Sequence, residues 1–368
     1  MKNIILGTTG LVGAALLAAS ASAQTPKVTV GGFADFQAGY IDDDLDAGQR
    51  DYGFRNDTEV SISVDGKSDN GLGYGAVIDL EADVTADADN EGLNASRTYV
   101  YMDGGWGRFE LGSNQGVGAT MNIDADNLAV ATGGINGSWN YFANHPAGVA
   151  FIATPENVSE LGSAFASGNE STDNSNKINY YSPRFSGFQL GVSYTPDLND
   201  RGQFVSRSDI GTSAGDVFDL ALSYERQFDA FLLGLSGNYQ TGDGDTLSED
   251  IDAYQVGAML GFAGFSVAGS YADLEGVQGA GIGAEGDYYT LGAGYENGPF
   301  GLSATWIDST LEQAAGDNDF ENLVIGADYK LAPGLTPYAE LSFYEYDAAG
   351  AAADNDGTLF ILGTQLAF

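Results

Sequence analysis

Segments of about ten residues in which polar and apolar side chains alternate recur along the whole chain. In one of them, Phe188, Leu190, Val192 and Tyr194 alternate with polar residues and glycine. A period of two places successive side chains on opposite faces of a β-strand. The pattern predicts strands at 27–40, 52–65, 71–84, 94–103, 106–112, 176–182, 187–195, 216–227, 230–240, 251–261, 265–273, 286–296, 299–308, 320–330, 335–345 and 357–368.

The connections between these predicted strands alternate in length. The long connections are 41–51, 85–93, 113–175, 196–215, 241–250, 274–285, 309–319 and 346–356, and the short ones include 104–105, 183–186, 228–229 and 297–298. Long loops on one rim and tight turns on the other are typical of outer-membrane barrels. A barrel of 16–18 strands leaves an aqueous channel. The sequence therefore predicts an all-β fold: a 16-stranded antiparallel transmembrane β-barrel, with both termini at the rim of short turns.

The first residues predict export. Lys2 precedes a run of small and apolar residues, and Ala21-Ser22-Ala23 has the form of a cleavage site. We expect residues 1–23 to be a signal peptide and residues 24–368 to form the barrel. The chain has no cysteine, so stability after export has to come from hydrogen bonding, packing or a membrane rather than from disulfides.

Composition narrows the function. The formal net charge of −39 argues against nucleic acid as a partner and favours cations. The same charge would also suit a secreted acidic β-protein or adhesin, which stays open as an alternative. The single histidine, His145, precedes a proline in a long connection and has no catalytic motif around it. We therefore expect no enzyme.

Five short motifs occur in an order and at spacings that suggest a family. They are VTVGGF at 28–33, RTYVY at 97–101, GRFELG at 107–112, YYSPRFSG at 180–187 and the terminal LGTQLAF at 362–368. With them the chain resembles the Gram-negative porin family, most closely the porins of alphaproteobacteria, over nearly all of residues 24–368. The resemblance implies a water-filled channel for passive diffusion of small hydrophilic solutes and ions, with a solute-specific channel, for example for sugars, as the alternative.

The resemblance also implies an environment and partners. These are the outer membrane with its lipid and lipopolysaccharide, a homotrimer, and barrel-assembly machinery that recognises the last strand, which ends at Phe368. It further implies that the long third loop folds into the barrel as a constriction.

Porin constrictions typically set acidic groups on the infolded loop against basic groups on the wall. Here Asp124 and Asp126 are the loop candidates, and Arg50, Arg55 and Arg97 are the basic ones. Opposed charges across a narrow aperture create a transverse field that orients polar solutes. A plainer interpretation leaves the aspartates solvated and the arginines paired with carboxylates of the lumen wall. The carboxylates for that pairing are Asp57, Asp79 and Glu81, and Glu59 also lies on the lumen wall.

The acidic balance predicts weak cation selectivity, and it also suggests divalent ions at the loops. Asp42, Asp43, Asp44 and Asp46 crowd the first long connection, where Ca²⁺ or Mg²⁺ could bind loosely. The segment 87–92 imitates the start of an EF-hand, but Thr98 stands where that loop needs glutamate. We expect no built-in cofactor.

Overall fold

The computed structural model describes residues 24–82, 94–155, 174–198, 200–203, 205, 214–244, 249–277, 283–350 and 354–368. The expected signal peptide, residues 1–23, and the EF-hand-like segment 87–92 lie outside them. The strands are β1 (Gln24–Asp43), β2 (Tyr52–Lys67), β3 (Gly73–Glu81), β4 (Asn94–Gly104), β5 (Gly107–Ser113), β6 (Asn176–Tyr181), β7 (Phe188–Asp197), β8 (Gly215–Phe228), β9 (Phe231–Asp243), β10 (Ile251–Phe262), β11 (Phe265–Glu275), β12 (Glu285–Asn297), β13 (Phe300–Gln313), β14 (Gly316–Tyr329), β15 (Leu335–Asp347) and β16 (Asn355–Ala367).

These strands form one closed antiparallel barrel. Each strand pairs with its neighbours in sequence, and β1 closes the ring against β16, with Phe36 opposite Thr364. Closure leaves no unpaired strand edge, which lets a sheet satisfy its backbone groups inside lipid. The predicted 16-stranded barrel is confirmed. In the part of the chain that is described, no helix is long and apolar enough to cross a membrane.

One predicted connection is wrong. The segment 309–319 was expected to be a long loop, but β13 continues to Gln313 and β14 begins at Gly316, so that only a tight turn remains. Ser309 and Leu311 are buried on the inner face, while Asp308 points outward and is exposed. Polar residues beyond the apolar belt extend the strand, because the outer face of a barrel rim is in water. Polarity alone therefore does not mark the end of such a strand.

The outer surface carries an apolar belt. Exposed side chains in this belt include Phe54, Leu222, Leu291 and Leu362. Toward the rim of short turns, aromatic residues pair across strands, for example Phe265 and Tyr295 with ring centroids 4.4 Å apart. Aromatic girdles that flank an apolar band are the expected surface of a barrel in lipid.

The connection between β5 and β6 enters the barrel, so the expected infolded third loop is present. We call residues 114–155 the infolded loop. It contains a short helix, α1 (Val117–Met121), and three 3₁₀ turns at Asp126–Leu128, Gly134–Asn136 and Ser138–Tyr141. A hydrophobic core lies between this loop and the inner faces of β12–β16 and β1, and it extends to β8, β10 and β11.

This core makes part of the inner face of the barrel apolar. Ile307, Leu311, Phe320, Val324 and Leu359 all point inward and are at most 2% exposed. Their strands alternate as predicted, but both sets of side chains include apolar residues, because the loop covers the inner face there and excludes water.

Candidate pore constriction

Backbone N–H groups of the infolded loop donate hydrogen bonds to short hydroxyl side chains on the inner wall. An irregular loop leaves backbone donors without partners, and serine or threonine on a facing strand can satisfy them. The pairs are Val117 with Ser193 (2.8 Å), Ile123 with Ser236 (2.9 Å), Ala125 with Thr290 (3.1 Å), Val130 with Ser303 (3.1 Å) and Ile135 with Thr305 (3.2 Å). The loop is thus attached in turn to β7, β9, β12 and β13.

Glycines on the wall let the loop approach closely. A Cβ atom on Gly257 would lie 1.8 Å from the carbonyl oxygen of Ile123, and one on Gly292 would lie 2.9 Å from that of Ala125. Both distances are too short for a real side chain. Because they have no side chain, these glycines let the loop backbone lie directly against the strands. We call Gly257 and Gly292 the glycine bed.

Trp139 is the largest side chain of the loop's core and is fully buried. Its ring stacks on Phe320 of β14, with centroids 5.5 Å apart and planes at 16°, and it also contacts Tyr344. Its Nε1 donates to the carbonyl of Ile135 at 2.9 Å. The indole N–H is thus buried away from water but still has a hydrogen-bond acceptor, as a buried tryptophan requires.

Two wall carboxylates hold the loop at separate points. Glu340 of β15 is 2% exposed and accepts hydrogen bonds from the backbone N–H of Thr132 (3.2 Å) and from its hydroxyl (2.6 Å). Asp43, at the end of β1, accepts from the backbone N–H of Asn144 (3.2 Å) and from the hydroxyl of Tyr344 (2.7 Å). Glu340 and Asp43 thus fix the loop to β15 and to the end of β1.

His145 follows that second anchor. Its Nε2 lies 3.0 Å from the carbonyl of Asn140, and its Nδ1 lies 2.8 Å from the hydroxyl of Tyr346. A carbonyl can only accept, so Nε2 carries the proton and the neutral ring accepts at Nδ1 from the tyrosine. Burial lowers the pKa of His145. The histidine is thus a structural contact of the loop.

The inner wall over β2–β5 lies opposite this arrangement and is charged. Three arginines there each pair with a carboxylate of the same wall. The pairs are Arg55 with Asp57 (3.0 Å), Arg97 with Asp79 (2.9 Å) and Arg108 with Glu110 (2.7 Å). Glu59 shares this inner face and lies opposite Glu81 in the strand register. We call this surface, the inner face of β2–β5, the charged arc.

The two wall arginines predicted for the constriction both lie on the charged arc and touch the loop. Arg97 donates to Gln115 at 3.3 Å, near the start of the loop. Arg55 donates to Ser138 at 3.3 Å and lies over the ring of Tyr141. Arg50 is exposed in the connection between β1 and β2. The structure brings Arg55 and Arg97, but not Arg50, into contact with the loop.

The two predicted loop aspartates differ in position. Asp124 is 1% exposed, and its carboxylate accepts hydrogen bonds from the backbone N–H of Asp126 (3.0 Å) and from the side chain of Asn122 (3.2 Å). Burial, with Asp126 close by, raises the pKa of Asp124 well above its ordinary value. Asp124 therefore shapes the loop and does not line the lumen, whereas Asp126 is partly exposed beside Asn136.

The acidic residues of the first connection are divided between two faces. Asp42 is exposed on the outer side of β1, and Asp43 is buried on the inner side, so the two cannot share an ion. Asp43 and Asp46 are hydrogen-bonded together, while Asp44 lies against Asp356. The described residues contain no group of three or more acidic, histidine or cysteine side chains with the geometry to hold a metal ion.

Several functional side chains were not found from the sequence. Glu340, Trp139 and the hydroxyl pairs fix the loop, and Tyr141 and Arg108 line the lumen. The one available signal was the repeated occurrence of glycine, serine and threonine on the polar face of predicted strands, which indicates close contact with another segment of backbone.

Comparison with known proteins shows which proteins this chain is similar to. A family described as Gram-negative porin matches residues 8–349. The outer membrane porin protein 32 of Delftia acidovorans is 26% identical over 345 residues, covering 90% of this chain and 88% of that protein. An uncharacterized protein of Rickettsia prowazekii is 24% identical over 421 residues, with 93% of each covered. The solved structure of an anion-selective porin from Comamonas acidovorans superposes with a TM-score of 0.63 at 18% identity, covering 94% of this chain and all of that one.

Proposed function

This chain belongs to the Gram-negative porin family and forms an outer-membrane channel, and we propose that it passes small hydrophilic solutes and ions by passive diffusion with a weak preference for cations. The observation that carries the proposal is the charged arc. The hydrophobic core under the infolded loop does not extend over it, and its arginines contact the loop at Gln115, Ser138 and the ring of Tyr141. Solutes passing between the loop and this wall meet fixed charge and water rather than apolar surface.

The balance of these charges supports the preference for cations. Each of the three arginines is paired with a carboxylate, and Glu59 adds a negative charge beyond those pairs. On the loop, Asp126 adds another. A lumen with surplus negative charge raises the local concentration of cations and lowers that of anions. The likeness to an anion-selective porin concerns the fold, and selectivity has to follow from this chain's own charges.

The selectivity is tested by zero-current potentials of channels in planar bilayers across a KCl gradient. We expect the wild-type potential to have the sign of cation preference. Glu59→Gln should reduce it, because the glutamate lies on the lumen wall. Asp308→Asn removes the same charge from the outer face of β13 and is the matched control, expected to leave the potential nearly unchanged. Anion preference in the wild type would overturn the selectivity proposal while leaving the channel itself established.

We further propose that the channel is a homotrimer. The outward side chains of β1 and β2, such as Val30, Phe36 and Phe54, are apolar and well exposed, and Phe36 and Phe54 stack with centroids 5.8 Å apart. The outward faces of β13–β15 instead carry carboxylates near the loop rim, including Asp308, Glu321 and Glu345. A subunit interface favours an uncharged face. The mass of the detergent-solubilised protein, measured by light scattering, tests this, and a monomeric mass would contradict it.

Two partners inferred from family resemblance remain proposals. Lipid and lipopolysaccharide would surround the barrel, and the assembly machinery would recognise the last strand. Phe368 supports the second proposal, because it is exposed on the barrel surface while its backbone N–H bonds to Gly32.

A further inference from the structure

One aromatic side chain inside the barrel is exposed to the lumen. Tyr141 ends the 3₁₀ turn Ser138–Tyr141 of the infolded loop, and it is 68% exposed although it lies within the ring of strands. Its neighbours are held by the wall: Ser138 accepts a hydrogen bond from Gln37 at 3.0 Å, and Trp139 is fully buried. The segment is therefore anchored on both sides of a ring that projects into water.

Arg55 fixes this ring from behind. The guanidinium carbon lies 3.9 Å from the ring centroid, within the range of a cation–π contact. Arg55 is itself held by Asp57 (3.0 Å), Ser138 (3.3 Å) and Gln37 (3.4 Å). One face of the tyrosine ring is thus covered by a fixed cation, and the other face is open. A surface that is ordered before a solute arrives binds it at a lower entropic cost.

The chemistry around the open face favours a neutral ring-shaped solute. The positive charge on the covered face weakens the attraction of the ring for a second cation. Beside it, the partly exposed Asp57 can accept hydrogen bonds and Arg55 can donate them. An apolar aromatic surface with a few polar groups at its edge is the usual composition of a small-molecule site. The C–H face of a sugar ring can pack on such a surface while its hydroxyls bond to the charged groups.

We propose that Tyr141, Arg55 and Asp57 form a weak subsite for cyclic polyols, such as monosaccharides, inside the lumen. This proposal rests on the proposed channel function. It predicts that the subsite distinguishes solutes by shape. An open-chain polyol of similar size has similar hydroxyl groups, but it loses conformational freedom when it presents a flat face to the ring. The subsite should therefore hold glucose longer than sorbitol.

The test measures ion current through single channels in planar bilayers as glucose or sorbitol is added at matched viscosity. We expect glucose, but not sorbitol, to add current noise and a saturable reduction of the current. Tyr141→Leu removes the flat ring while keeping an apolar side chain, and it should raise the half-saturating glucose concentration about tenfold, equivalent to about 1.4 kcal/mol. Tyr141→Phe keeps the ring and should behave like the wild type.

Phe343→Leu replaces an aromatic ring by leucine on the outer surface of β15 and should have no effect on the response to glucose. Equal responses of the wild type to glucose and sorbitol would overturn the subsite, as would an unchanged glucose response in Tyr141→Leu. Complete absence of conductance would instead overturn the proposed channel function, so the two failures are distinguishable.

Discussion

The inner faces of β2–β5 and of β12–β15 belong to one continuous sheet and follow the same alternation, but their chemistry is opposite. On β2–β5 the inward side chains include arginines paired with carboxylates, such as Arg97 with Asp79. On β13 and β14 they include Ile307 and Phe320, which are buried under the infolded loop. The backbone register is regular from β12 to β15 and between β2 and β3, and it shifts once between β3 and β4, at Asp79.

The two inner surfaces differ in whether water or protein covers them. The charged arc faces the water of the lumen, and its buried carboxylates, Asp79 and Glu110, are each paired with an arginine. The other surface faces a second layer of protein, where burial stabilises apolar side chains and an unpaired charge would be costly. One barrel therefore combines a wet wall, which is the charged arc, and a dry wall, which is the inner face of β12–β15. The position of the infolded loop determines which part of the wall is dry.

The strongest test of the dry wall is removal of Trp139. Replacing it with alanine deletes the ring that stacks on Phe320, and loss of a buried tryptophan typically costs about 3–5 kcal/mol. Since the barrel's own hydrogen bonds remain, we expect the cost to fall on loop docking. Single-channel conductance should rise and become noisier, and the loop should become sensitive to protease.

Trp139→Phe, which keeps an aromatic ring, should show a much smaller change. If Trp139→Ala left both conductance and protease resistance unaltered, the loop would not depend on this core.

The glycine bed gives a second test with a matched control. Gly257→Ala would place a methyl group against the carbonyl of Ile123, whereas a Cβ on Gly237, in the neighbouring strand, has no atom within 4 Å. Overpacking typically costs about 1–3 kcal/mol. We expect Gly257→Ala to lower the melting temperature and change the conductance, while Gly237→Ala does neither. Equal behaviour of the two variants would mean that the loop does not rest on β10 at this point.

The sequence predicted the wet wall and the lipid-facing surface better than the dry wall. Period-two alternation, together with the alternation of long loops and tight turns, was enough to predict the number of strands and the closure of the barrel. Both properties depend on backbone pairing. Arg55 and Arg97 were placed on the inner face for the same reason. Phe320 and Ile307 were not interpreted as core, because an apolar residue on the inner face gives no sign of what covers it.

The candidate site could be predicted only in outline for a related reason. Asp124 and Asp126 are two residues apart in an irregular loop, where no period tells which side chain is buried. The hydrogen bonds of Asp124 to the next turn decide its position, and they depend on the path of the loop. Glu340 lies more than two hundred residues from Thr132 in sequence, so its role required the closed barrel.

The smallest expected effect concerns the pH dependence of the dry wall at His145. Because burial lowers the pKa of His145, the folded protein favours the neutral ring. Its stabilising contribution is complete above the ordinary imidazole pKa of about 6.5 and is lost as the pH falls through the lower value of the folded protein. Protonation at Nδ1 would also remove the acceptor of the Tyr346 hydroxyl.

We therefore expect acidification from about pH 7.5 to 5 to lower the melting temperature of the wild type more than that of His145→Gln, which cannot gain this proton. The difference should be at most about 1 kcal/mol, the contribution of one hydrogen bond. Asp44, whose pKa is raised by its hydrogen bond to Asp356, and the buried Asp124 also titrate on acidification, but they are present in both proteins and cancel in the comparison. Parallel melting curves over this range would show that His145 does not contribute to the acid sensitivity of loop docking.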